Sequence, residues 1–254
     1  MIYSLKVKGW TIMIALACMA IASCGQEKTF GEYYLHGAVW LNQDGNDRAI
    51  SDLDRIIREQ PGNTAAYLRR AEIKNKLDRN EEALLDLDQA VRLQPDNTEI
   101  FQRRADIHLE NGQFEAAVSN IDHIVRMRPG EPSAYMTRAV FRFQAEQFRA
   151  TTSDLDRVIA MRPDHPLAYY LRGLAWSNLY QPGLALADYD IHIQMNPSDA
   201  HAYGSRGAAK ERLGQHKDAL ADYGICLEML DDTPRHNGMR VAVERRVREL
   251  KSRQ

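Results

Sequence analysis

Disulfide chemistry has almost no material here: the 254 residues hold three cysteines, Cys18, Cys24 and Cys226. Neither sign of charge is in excess. Thirty-three basic residues face 35 acidic ones, a formal net charge of −2, which argues against a general nucleic-acid binder, whose first mark is a basic footprint. Short catalytic signatures are missing too. The eight histidines form no H-E-x-x-H pair, and no G-x-x-x-x-G-K-[ST] or G-x-G-x-x-G loop occurs. Only a site assembled from distant residues would make this chain an enzyme, so no catalytic residue, metal or cofactor is expected. What remains is the composition of a soluble protein: 44% hydrophobic, 27% charged, mean hydropathy −0.50.

The first 26 residues differ from the rest. Lys6 and Lys8 precede the run GWTIMIALACMAIA, and no further charge follows until Glu27. A short basic region, a moderate apolar run and then small residues form the pattern of a secretory signal. The run is short of the roughly 20 residues of a spanning helix, although an uncleaved anchor helix is the other reading. At its end stand Ile21, Ala22, Ser23, Cys24 and Gly25: an aliphatic residue, two small ones, then cysteine. This resembles the lipobox of bacterial lipoproteins. The resemblance implies cleavage after Ser23, a diacylglyceryl group on the Cys24 thiol and acylation of the new amine; a chance cysteine at a simple cleavage site is the alternative. Two or three acyl chains, at about 0.8 kcal/mol per buried CH₂, hold a protein stably where one chain holds it marginally. An aspartate after the cysteine would favour inner-membrane retention, so Gly25 implies, by analogy with Gram-negative sorting, an outer-membrane location facing the periplasm.

On this reading residues 1–23 are a signal peptide and 24–29 a short lipidated tether. Cys226 is then the one cysteine left in the body, which excludes an intramolecular disulfide. Losing Lys6 and Lys8 leaves 31 basic and 35 acidic residues, net −4, so the body as a whole has no attraction to an anionic surface.

Prolines stand at 61, 95, 129, 163 and 197, each 34 residues after the last. With that proline as position 32, the units are 30–63, 64–97, 98–131, 132–165, 166–199 and 200–233, the sixth carrying Asp231 instead. Position 4 is always aromatic: Tyr33, Tyr67, Phe101, Tyr135, Tyr169, Tyr203. Position 8 is always small, Gly37, Ala71, Ala105, Ala139, Gly173 and Gly207, and position 20 is alanine except at Thr151. These columns resemble the tetratricopeptide repeat over residues 30–233. The resemblance implies an all-α fold, a right-handed α-solenoid of six helical hairpins.

The residues argue the same way. Each unit holds two apolar-periodic segments, near positions 1–14 and 18–31. Gly112 and Gly214 suit the left-handed residue that ends a helix, and Pro132, Pro166 and Pro182 suit first helical turns. One hairpin cannot bury its apolar face alone, so six must stack. Beyond them Met239, Val243, Val247 and Leu250 recur at helical spacing among Arg240, Arg245, Arg246, Arg248, Lys251 and Arg253. This predicts a capping helix over 234–254; a basic docking surface for polyanions, interrupted by Glu244 and Glu249, is the other reading.

Position 7 is arginine at Arg70, Arg104, Arg138, Arg172 and Arg206, and position 23 is acidic at Asp52, Asp86, Asp154, Asp188 and Asp222, with Asn120 between. In an antiparallel hairpin registered by positions 8 and 20, position 7 lies nearly opposite position 23. Structural pairs are therefore expected at Arg70/Asp86, Arg138/Asp154, Arg172/Asp188 and Arg206/Asp222. The D-x-D runs (52–54, 86–88, 154–156, 188–190) are not expected to hold a metal, because carboxylates two residues apart on a helix diverge by about 200°.

In the tetratricopeptide family the first helix of each unit lines a concave groove. The corresponding positions here include Tyr34 and Leu35, then Arg69, Glu72, Arg103 and Asp106, then Met136, Val140, Phe143, Tyr170, Leu171 and Leu174. Apolar residues gathered in a concavity usually mark a partner. The carboxylate clamp of chaperone-tail receptors is not expected, since Glu72, Asp106 and Val140 occupy clamp positions. The expected function is a membrane-anchored interaction scaffold or assembly adaptor in the bacterial cell envelope, binding a peptide or helix of another envelope protein. A self-associating protein whose groove is filled by another copy is the alternative, followed by a glycan-binding or enzymatic protein using the region of Tyr170 and Trp176.

Overall fold

The computed structural model describes residues 43–230 and 234–252. Cys24, Tyr34, Leu35 and the first helix expected for the first unit lie outside them. The elements, all helices, are α1 (Gln43–Glu59), α2 (Thr64–Lys76), α3 (Asn80–Leu93), α4 (Thr98–Glu110), α5 (Phe114–Met127), α6 (Pro132–Gln144), α7 (Phe148–Met161), α8 (Pro166–Asn178), α9 (Pro182–Met195), α10 (Ala200–Arg212), α11 (His216–Met229) and α12 (Pro234–Lys251). The chain divides into two compact units, Met1–Pro129 and Gly130–Gln254. In the first, α2/α3 and α4/α5 are hairpins, with α1 packed on α2 and α3 on α4. In the second, α6/α7, α8/α9 and α10/α11 are hairpins, α7 packs on α8, α9 on α10, and α12 on α11.

Local chemistry sets the helix ends. The first helices begin at caps: Asn63, Asn97 and Asp199 accept from backbone N–H groups of the first turn, which offsets otherwise orphaned donors. Pro132, Pro166 and Pro182 occupy first-turn positions, where their missing N–H is no loss. The second helices stop two residues before the lattice proline. A proline crowds the backbone of the residue before it and forces that residue out of helical geometry; Gln94, Arg128, Arg162 and Asn196 accordingly have φ of −138°, −129°, −141° and −136°.

The turn inside each hairpin is uniform. Its fifteenth residue is left-handed whether glycine or not: Gly112 and Gly214, as expected, but also Asp78, Glu146 and Tyr180 at φ 56–58°. The next N–H then returns to the carbonyl five residues back, as in Gln181 to Trp176 at 2.9 Å and Gln147 to Arg142 at 2.8 Å, closing the helix end.

Position 8 faces position 24 across the hairpin. Where position 24 is Leu87, Ile121 or Leu155, position 8 is alanine, and all are buried. Where it is Tyr189 or Tyr223, position 8 is glycine, and a Cβ on Gly173 or Gly207 would stand 2.6 or 2.8 Å from the tyrosine ring. The ring takes the volume that the methyl group gives up. At the far end Val243 and Leu250 of α12 are buried with Tyr223, Cys226 and Leu230, so α12 packs on the last hairpin.

Candidate functional site

Arg172 grips two acids at once. Its Nε and Nη2 donate to the carboxylate of Asp188, at 2.9 and 2.6 Å, and its Nη1 donates to Asp156 at 2.6 Å. Asp188 lies sixteen residues ahead, in its own hairpin; Asp156 lies sixteen behind, in the hairpin before. Arg206 repeats this with Asp222 and Asp190. Arg70 does so with Asp86 and Asp54, and Arg104 with Asn120 and Asp88. Arg138 forks onto Asp154. Each guanidinium also lies over the aromatic ring three residues before it, 5.3 to 5.7 Å from its centre, a cation–π contact.

The D-x-D runs thus have a structural use. In the runs 86–88, 154–156 and 188–190 the carboxylates diverge, and that divergence lets the first serve its own hairpin while the second holds the next. Position 11 completes the cluster: Lys74, Arg142 and Lys210 add a second cation to Asp86, Asp154 and Asp222, at 2.8 to 2.9 Å. In the fifth repeat that position is Trp176, and Asp188 has Arg172 alone. Burial pushes the Asp188 carboxyl up despite the arginine, while its bond to Asp188 holds the Arg172 proton more firmly. Both directions describe a bidentate pair that is strong in itself and costly to desolvate. An open depression of about 510 Å³ beside Arg70, Lys74 and Asp86 is lined by charges that already neutralise one another.

The row expected to meet a partner splits in two. On α2 and α4, in the first unit, it is open and charged. Glu72 collects Arg69 and Lys76 at 2.8 Å each and Arg103 at 3.7 Å, while Arg103 also holds Glu99 at 2.8 Å. Asp106 accepts from Gln102 at 3.0 Å. It is open to water but ringed by protein, and that partial desolvation pushes its carboxyl up to about 6.

In the second unit the row is closed. Met136, Val140, Tyr170, Leu171 and Leu174 are each no more than 8% exposed, and Phe143 stands edge-on to Phe148. Of the apolar strip expected to face a ligand, all but the half-buried Phe143 is packed away. Tyr170 shows how: its ring lies against Tyr189 and His192, and its hydroxyl meets that of Ser205 on the next first helix at 3.4 Å. The seam between neighbouring first helices swallows this side of α8.

His192 is a buried polar group that sequence did not single out. One ring nitrogen is 2.9 Å from the Pro166 carbonyl and the other 2.9 Å from Asp199. Burial opposes ionisation of Asp199, but hydrogen bonds from His192 and His201 outweigh it and hold the carboxyl well below its ordinary range. Burial pushes the Cys226 thiol up to about 11, against any role as a nucleophile. Among the described residues no group of three histidine, cysteine or acidic side chains is arranged to hold a metal ion.

The family model for the tetratricopeptide repeat matches residues 36–98. No curated protein matches the chain. Among solved structures, that of the MamA protein is 22% identical, with a TM-score of 0.60 over 67% of this chain and 98% of that one. YrrB, a TPR protein with an unusual peptide-binding site, is 15% identical, with a TM-score of 0.58 over 74% of this chain and 96% of its own. The C-terminal part of a TPR repeat-containing protein from Cytophaga hutchinsonii is 17% identical, with a TM-score of 0.60 over 73% and 74%. At these identities the likeness is one of fold, an all-α solenoid.

Proposed function

We propose that this chain, a tetratricopeptide repeat protein, is a lipid-anchored scaffold of the bacterial cell envelope that holds a segment of a partner protein against α2 and α4. The observation that carries this is the open row of Arg69, Glu72, Arg103 and Asp106. The arginines and aspartates at repeat positions 7, 23 and 25 are spent on holding hairpins together, whereas these four side chains face outward. Asp106 has one neutral hydrogen-bond partner and a raised carboxyl, so a cation brought by a partner would relieve it. Glu72, already shared by three cations, offers none of that gain. The occupant is therefore a mixed-charge peptide or helix that sets a lysine or arginine against Asp106. The YrrB likeness supports peptide binding as a use of this fold. The lipobox-like Ile21–Gly25 supports attachment to a membrane through Cys24, with the outer membrane, facing the periplasm, as the preferred location.

A photo-crosslinking residue at position 106, compared with one at exposed Ser153 of α7, tests the reading in intact membranes. A discrete adduct from 106 and none from 153, lost when Asp106→Arg is paired with a crosslinker at position 103, is expected. Equal adduct patterns from both sites would remove the assignment. Mass spectrometry of the native N-terminus decides the acylation of Cys24 separately.

A further inference from the structure

Charge is not spread evenly along the chain. Residues 234–254 hold Arg235, Arg240, Arg245, Arg246, Arg248, Lys251 and Arg253 against Glu244 and Glu249, a net charge of +5. Residues 24–233 hold the remaining 24 basic and 33 acidic side chains, net −9. A basic terminal helix on an acidic body marks a surface meant for an anionic partner.

The cap explains only part of that helix. Met239, Val243, Val247 and Leu250 face α11. Two arginines are used on the same side: Arg240 donates to the Leu230 carbonyl at 2.5 Å, and Arg246 reaches Glu211 at 3.5 Å. With about 100° per residue, Val241, Arg245 and Arg248 fall on the opposite face. Val241 is 54% exposed, and the side chains of Arg245 and Arg248 are 67% and 70% exposed. Their nearest acids, Glu249 and Glu244, stand 3.8 and 3.9 Å away. Ion pairs that open and that long contribute little and leave both cations available.

We propose that the outer face of α12, carried by Arg245, Arg248 and Val241 with Lys251 at its edge, docks on the anionic phospholipid headgroups of a bilayer. Arginines meet the phosphates, and Val241 with neighbouring Ala242 enters the headgroup boundary. Basic residues near an anionic leaflet add an attraction that salt screens, so this is a second, reversible contact beside the acyl anchor. Nucleic acid fits less well: no phenylalanine, tyrosine or tryptophan follows Tyr223 to stack on bases, and an exposed valine gains nothing from a phosphate backbone. The choice of lipid rests on the membrane location proposed above; the docking face does not.

The test is vesicle flotation with the chain from residue 25 onward, which keeps every helix described and carries no acyl group, so its outcome is independent of Cys24. Vesicles of phosphatidylcholine are compared with vesicles containing about 30% phosphatidylglycerol, at about 50 and 500 mM salt, where screening separates electrostatic from apolar binding. Binding to the anionic vesicles alone, released by salt, is expected. R245E/R248E should weaken it about tenfold or more, with an unchanged melting curve. R149E/R157E, which reverses two exposed arginines of α7 and alters net charge equally, should leave it intact. Absence of binding, equal losses in the two variants, or displacement of the vesicles by an equal charge of duplex DNA would each overturn the proposal.

Discussion

Arg172 and Asp156 belong to different hairpins, and their 2.6 Å hydrogen bond ties one repeat to the one before it. The same guanidinium closes its own hairpin on Asp188. The two acids differ in burial: the Asp188 side chain is 5% exposed and that of Asp156 57%.

That difference sets unequal costs. Asp188→Ala strands a half-buried guanidinium and should destabilise by about 3 kcal/mol, whereas Asp156→Ala should cost less than about 1 kcal/mol. Asp188→Asn should fall between, because Asn120 already accepts from Arg104 at 2.6 Å in the third repeat. Denaturant titration of the three variants orders them, and a larger loss for Asp156→Ala would contradict the assignment.

The glycine–tyrosine exchange predicts a compensating pair. Gly173→Ala places a methyl group 2.6 Å from Tyr189 and should cost about 1–3 kcal/mol by overpacking. Combined with Tyr189→Leu, the pairing used at Ala71/Leu87, it should cost less than the sum of the two single changes. A double-mutant cycle reads the coupling directly, and strict additivity would refute it.

Asp106 predicts a pH dependence with a definite sign. Its carboxyl sits at about 6 when folded against an ordinary 3.8, so the native chain binds more protons across that window and stability falls as pH rises through it. Asp106→Asn should flatten that fall. Asp199, held low, acts in the opposite sense: its contribution is present above its ordinary range and fades as pH drops below about 4. Melting temperatures of wild type and both Asn variants from pH 3 to 7, about seven points, separate the two slopes.

Tyr180 predicts a gain. It is left-handed at φ 57° and 82% exposed, with Arg212 lying 5.8 Å from its ring centre. Left-handed backbone costs a non-glycine residue about 1 kcal/mol, more than an exposed cation–π contact of about 0.5 kcal/mol returns. Tyr180→Gly should raise the melting temperature; a fall would show that Arg212 needs its platform.

The 34-residue lattice made the hairpins legible, because proline, glycine and alanine constrain backbone and close approach whatever surrounds them. Pairing of position 7 with position 23 was legible for the same reason: hairpin register places them opposite. The second acid is not legible from one hairpin because it belongs to another, although its spacing of sixteen residues is the same. Left-handed Asp78, Glu146 and Tyr180 carry no signal of their own; the turn imposes their conformation. The helical wheel located the face of α8 that holds Tyr170, Leu171 and Leu174, but a wheel describes one helix. Whether that face stays open depends on what sits beside it, here Ser205, Tyr189 and His192.

Arg70, Arg104, Arg172 and Arg206 each look backward for one acid, so the hairpin before each must offer one forward. Asp54, Asp88, Asp156 and Asp190 do so, and in the last hairpin the same position holds Gly224. The array therefore carries its own terminator. The hairpin of Arg172 could be duplicated and each copy would still find an acid behind it, but nothing after Gly224 is invited to join. The ladder holds both a repeatable middle and a stop.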